Sequence, residues 1–145
     1  MLQQYSNNKM KKSLLLILLF FSFQLVLKAQ EAERLHTLGK NYLIDGDYAS
    51  AENALTGAYD LDSNSLSIAK DLSLCFYFEK EFKKGLFIIN KMIEQGKADD
   101  QSYQIAGNFY KSLNQIAECE SLFRKALVKF PDNGAINNEL GEILY

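Results

Sequence analysis

From Ala32 to Asn133 the chain repeats itself every 34 residues, three times, without an insertion. Leu38, Leu72, Ala106 and Leu140 form one column at that spacing, and Tyr42, Phe76, Tyr110 and Leu144 form a second. Ala51, Gly85 and Cys119 make a column of small residues. Leu55, Ile89 and Phe123 make a bulky one, followed by Ala58, Met92 and Ala126. A period of this length is that of one supersecondary unit. Within each period apolar residues fall at helical spacing, as in Leu35, Leu38, Tyr42 and Leu43. The breaker Asp45-Gly46-Asp47 follows, and then a second amphipathic stretch from Tyr48 to Leu61. Small residues such as Gly39 and Ala51 let two helix axes approach closely, and Tyr42 and Leu55 fill the space beside the contact. Each period therefore predicts an antiparallel helix pair that cannot bury its apolar face alone. Stacked pairs give an all-α solenoid with one continuous core. An irregular helical bundle is the competing fold, and the unbroken period disfavours it.

The spacing predicts helices over 32–45, 48–61, 66–79, 82–95, 100–113, 116–129 and 134–145. Ser65, Asp100 and Asn133, the last after Pro131, stand where a helix needs an N-cap. The columns resemble the tetratricopeptide repeat, with its W-x2-L-G-x2-Y, A-x3-F and P signature. Repeat 1 (32–65) carries Leu35-x2-Leu38-Gly39-x2-Tyr42, Ala51-x3-Leu55 and Ala58, with Ser63 in place of Pro. Repeat 3 (100–133) carries Tyr103-x2-Ala106-Gly107-x2-Tyr110, Cys119-x3-Phe123, Ala126 and Pro131. Repeat 2 (66–99) departs most, with Ala69, Ser73, Gly85 and Lys97 at signature positions. Residues 134–145 repeat the first-helix pattern, and Gly141 keeps the close-approach slot of a partner helix. That predicts the front part of a longer array or of a longer sensory, scaffold or enzymatic protein. A simple terminal cap is the alternative.

Residues 1–29 read as a secretory signal. Lys9, Lys11 and Lys12 precede the apolar run Ser13–Leu27, and Ala29 offers a cleavage position before Gln30. Met10 could equally serve as the start. The run is 15 residues long, short of the roughly 20 that a membrane span needs. Bulky Leu27 three residues before the cleavage point keeps an uncleaved anchor in play, and a buried core helix is a third reading. The leader predicts an exported chain, periplasmic or envelope-associated in a bacterium. Four of the 16 Lys and Arg lie in this leader and all 18 acids follow it, which leaves residues 30–145 at −6. An acidic body of that kind is a poor nucleic-acid binder.

Little in the chain suggests catalysis or a cofactor. His36 is the single histidine, and Cys75 and Cys119 lack zinc or redox spacing and read as buried small residues. There is no phosphate loop or nucleophile motif. The acidic pairs Asp45/Asp47, Glu79/Glu81 and Asp99/Asp100 fall at turns or helix starts, where acids favour the helix dipole. Lys80, Lys83 and Lys84, interleaved with Glu79 and Glu81, read as a solvated loop.

The resemblance implies a concave groove lined by the first helix of each pair, holding a peptide or partner protein. Its repeat positions place Glu33, His36, Lys40 and Leu43 there, then Ser67, Lys70, Leu74 and Tyr77, then Gln101, Gln104, Asn108 and Lys111. A two-carboxylate clamp for chaperone tails, a known use of the family, needs Lys and then Asn in the first repeat. His36 and Lys40 stand there instead, so the columns argue against that ligand.

Overall fold

A computed structural model describes residues 2–145, with side chains from Met10 onward except Ser13. The side chains of Lys9 and Ser13, which the leader argument used, thus lie outside the described residues. Seven helices follow one another: α1 (Leu2–Asp45), α2 (Tyr48–Leu61), α3 (Leu66–Phe78), α4 (Phe82–Glu94), α5 (Asp100–Ser112), α6 (Ile116–Lys129) and α7 (Gly134–Leu144). No strand occurs among the described residues. Each helix packs on the next in order, and α3 also meets α1 and α5. The chain is an α-solenoid of antiparallel pairs.

One element differs from expectation. The leader and the first repeat helix are a single helix, α1, with no break at Ala29 or Gln30. Neither Gly nor Pro interrupts residues 2–38, so nothing local stops the helix.

The turns show why the period is strict. Gly46, Lys80 and Asn114 are 34 apart, and all three adopt left-handed backbone, with φ of 75°, 62° and 56°. Each ends the first helix of its pair at the same place. Gly and Asn tolerate that conformation, and Lys does so at a cost. Asp47 then caps α2 by accepting from Ser50 N at 3.1 Å. Ser65 and Asn133 cap α3 and α7 as expected. The cap of α5 is Asp99 rather than Asp100: Asp99 Oδ1 accepts from Ser102 N at 2.9 Å and from Ser102 Oγ at 2.6 Å. Asp100 instead accepts from Asn133 Nδ2 at 2.7 Å, one loop further along.

The core is built on the bulky column. Leu55, Ile89 and Phe123 are each fully buried. A Cβ on Gly39 would lie 2.5 Å from Leu55 Cγ, and one on Gly107 would lie 2.2 Å from Phe123 Cζ. Repeat 2 meets the same requirement differently. Ser73 replaces the glycine, and its buried hydroxyl donates to the Gly85 carbonyl at 3.2 Å, which removes the penalty of an unpaired buried oxygen. The apolar side of α4 joins two clusters. Ile88 and Met92 face the first two repeats, while Leu86, Ile89 and Ile93 face the third. Burial is therefore continuous along the stack.

Cys75 and Cys119 are free and fully buried. Their thiols donate to the carbonyls of Tyr48 (3.3 Å) and Gly107 (3.5 Å). Burial pushes the Cys75 thiol up to about 12, helped by the charges of Glu79 and Glu52, and burial raises that of Cys119 as well. Both stay protonated and act as small apolar side chains.

Candidate functional site

The first helices α1, α3 and α5 carry the twelve residues expected in the groove, and the structure sorts them into two groups. Glu33, Lys40, Ser67, Leu74, Tyr77, Gln101 and Asn108 are exposed, and Leu43 and Gln104 are half-buried. His36, Lys70 and Lys111 are committed elsewhere. His36 is buried, with Nε2 2.7 Å from Asp71 Oδ2 on α3. Lys70 Nζ donates to Asp99 Oδ2 at 2.8 Å and to Gln101 Oε1 at 2.9 Å. Lys111 pairs with Glu139 on α7.

These three contacts follow one rule. A nitrogen on one first helix meets an acid that lies on the next first helix or caps it, so this face is laced from α1 to α3, from α3 to α5 and from α5 to α7. Burial of Asp99 works against its charge, but the hydrogen bonds from Lys70 and Ser102 outweigh it and hold the carboxyl below its ordinary range. The groove thus offers few free cations. What it presents is apolar and amide surface, with Leu74 and Tyr77 at 41% and 38% exposure beside Gln104 and Asn108. Tyr77 is held in place by Phe82 and Phe109, with ring centroids 5.6 and 5.7 Å away. A depression of about 470 Å³ opens at the first repeat, lined by Glu33, His36, Lys40 and Ile44 with Ser65 and Ser67.

Two exposed apolar residues next to the expected set were missed. Ile44 is 81% exposed and Phe78 is 47% exposed. Each directly follows an expected groove residue, Leu43 and Tyr77, and the two are 34 apart. That recurrence was the available signal. Asp71, Asp99 and Glu139 were missed because an acid 28 to 35 residues away gives no sign in the sequence that it will neutralise a groove nitrogen.

One carboxyl outside the groove is raised. Glu79 lies at the end of α3, and burial and the neighbouring Glu52 raise it above the usual carboxylate range. Its Oε2 is buried with no partner. Glu79 does not line any of the five depressions described along the solenoid.

Residues 100–127 match the tetratricopeptide repeat family. The N-terminal domain of stress-induced protein-1 from C. elegans superposes with a TM-score of 0.72 at 19% identity, over 81% of this chain and 98% of that one. The second TPR domain of human RPAP3, in complex with the HSP70 peptide SGPTIEEVD, gives 0.70 at 15% identity, over 83% and 98%. A tetratricopeptide repeat protein from Parabacteroides merdae gives 0.71 at 14% identity, over 79% and 46%. The fold is a tetratricopeptide-repeat solenoid. No curated protein matches the chain by sequence. In TPR terms, α1, α3 and α5 are the inner helices and α2, α4 and α6 the outer ones. The serine and glycine that weaken the signature of repeat 2 are accommodated by packing within that repeat and against α5.

Proposed function

We propose that the chain is a non-catalytic interaction module that holds an extended segment of another protein in the groove of α1, α3 and α5. The observation that carries this reading is the state of the groove nitrogens. Lys70 and Lys111 already face Asp99 and Glu139, while Leu74, Tyr77 and Asn108 stay open. Such a surface favours backbone amides and apolar side chains over a bare carboxylate tail. The RPAP3 domain holds a peptide ending in acidic residues. Here an acidic tail would have to displace internal acids to reach Lys70 or Lys111.

The test uses the full chain in zwitterionic detergent micelles. SGPTIEEVD should give no saturable binding. A partner retained from an envelope extract should be lost when Leu74 and Asn108 are both changed to alanine. Retention that ignores this double substitution sinks the reading.

The leader supports a second part of the proposal, that the module is exported and works in the bacterial periplasm or at its membrane. Residues Leu14–Leu27 include twelve large apolar side chains between 44% and 68% exposed. Nothing in the solenoid covers them, and α1 is long and apolar enough to cross a membrane. At ~1.5 Å per residue the apolar run spans about 22 Å, less than the ~30 Å of a bilayer core. A periplasm-dependent reporter fused after Tyr145 should be active. The N-terminal residue of the isolated protein, Gln30 or an earlier one, separates a cleaved leader from a retained anchor.

A further inference from the structure

We propose that the outer face of α4 is a second docking surface, which takes an acidic protein segment on an exposed apolar anchor. Phe87 is the centre of it. Its neighbours Leu86, Ile88 and Ile89 are turned into the core, yet Phe87 itself is 70% exposed. The repeat architecture does not ask for an aromatic there. The equivalent outward positions of the other two repeats are Asn53 and Ser121, both polar and exposed. Lysine is likewise particular to this helix. The positions matching Lys83 are Ala49 and Ala117, and those matching Lys84 are Ser50 and Glu118.

Phe87 forms a ridge between two depressions. On one side lies a hollow of about 640 Å³, where Lys83, Asn90 and Lys91 face Leu113 and Gln115 from the α5–α6 turn. On the other lies a mostly apolar hollow of about 430 Å³ between Phe76, Lys84 and Ile88. Among the described residues neither Lys83 nor Lys91 meets a carboxylate within ion-pair distance. Lys91 lies over the Tyr59 ring at 5.3 Å, and Lys84 makes only loose approaches of 3.8 and 3.9 Å to Glu52 and Glu81. Glu94 closes the far end of the larger hollow. The sequence reading put Lys83 and Lys84 in a solvated loop, but they occupy the first turn of α4 and share a face with Phe87. An exposed aromatic between hollows, with the unpaired Lys83 and Lys91 beside it, complements an acidic segment carrying a bulky side chain.

A peptide fits this patch better than a membrane does. The helices of each pair are antiparallel and α3 follows the sense of α1, so the first turn of α4 lies at the edge of the solenoid opposite the one from which residues 14–27 extend. A bilayer holding α1 could not also touch Lys83 and Lys84. The surface lies on the outer side of the stack, away from the groove, so it does not depend on the groove reading.

The experiment follows fluorescence anisotropy of a labelled peptide of alternating Glu and Leu, titrated with the full chain in zwitterionic micelles. The Gln-for-Glu peptide and phosphatidylglycerol vesicles are run in parallel. Saturable binding is expected that weakens as salt rises. Phe87→Ser should weaken it about fivefold or more, Lys83→Gln with Lys91→Gln should flatten the salt dependence, and Leu74→Ala should leave it unchanged. Because Phe87 and Lys83 are exposed, the variants should keep the wild-type thermal transition. Equal binding of the Gln peptide, indifference to Phe87→Ser, lysine-dependent capture by the vesicles, or self-association that Phe87→Ser abolishes would each overturn the proposal.

Discussion

A methyl group placed on Gly85 would fall 2.2 Å from Cζ of Phe109, a buried ring on the first helix of the next repeat. In the preceding interface the equivalent residues are Ala51 and Cys75. The repeat thus keeps its helix spacing by exchanging volume across the boundary. Gly85→Ala should cost about 1–3 kcal/mol by overpacking, and Gly107→Ala, which meets Phe123 at 2.2 Å, should cost a similar amount. Gly141→Ala should be neutral or slightly stabilising, because a Cβ there meets nothing within 4 Å. Urea denaturation of the three variants checks the contrast, and equal effects at all three sites would refute it.

Lys80 holds left-handed backbone, with φ of 62°, in the column otherwise filled by Gly46 and Asn114. Lys80→Gly should therefore raise stability by about 1 kcal/mol. Thermal unfolding measures it. A decrease would mean that the lysine side chain compensates for its backbone.

Asp99 and Glu79 should contribute to pH dependence with opposite signs. The Asp99 carboxyl is held low, so its contribution is present above the ordinary aspartate range near pH 4 and is lost as the pH falls through its depressed value. Asp99→Asn should flatten the acid limb of the stability curve, and Asp99→Ala should also lose the α5 cap, worth about 1 kcal/mol. Glu79 is held high, so its contribution is present below the ordinary glutamate range and is lost as the pH rises through its raised value. Glu79→Gln should stabilise the chain at neutral pH by up to about 0.5 kcal/mol, in keeping with a near-surface site. Denaturation midpoints from about pH 3 to about pH 8, which bracket the ordinary carboxylate range near pH 4, compare the three variants.

Neither thiol should react with a disulfide reagent while the chain is folded. Cys75 and Cys119 are fully buried and their thiols are held protonated. Labelling at neutral pH should give no fast phase in the native protein and two equivalents in denaturant. Fast native labelling would contradict the packing described around α3 and α6.

The leader argument and the groove positions show how far local pattern reaches. Six of the seven helices lie within a residue of the spans read from spacing, because turns and apolar periodicity act over a few residues. The exception is α1, where the repeat began at Ala32 but no breaker separates it from the leader. The cap of α5 was misplaced by one residue, since Asp99 and Asp100 both suit the role and only the loop to Asn133 distinguishes them.

The sequence by itself determined the repeat length and the pairing of helices, because both follow from a 34-residue spacing carried by the chain. Only the tertiary structure decided which groove residues are free. His36, Lys70 and Lys111 fall in the right columns, yet each is met by an acid on the next first helix or at its cap. It also decided that Phe87 stands outward between two hollows while Phe109 and Phe123 are buried. The physical reason is the same in both cases. Column position sets the direction in which a side chain leaves its own helix, but neutralisation and burial depend on what the stacked neighbour brings against it.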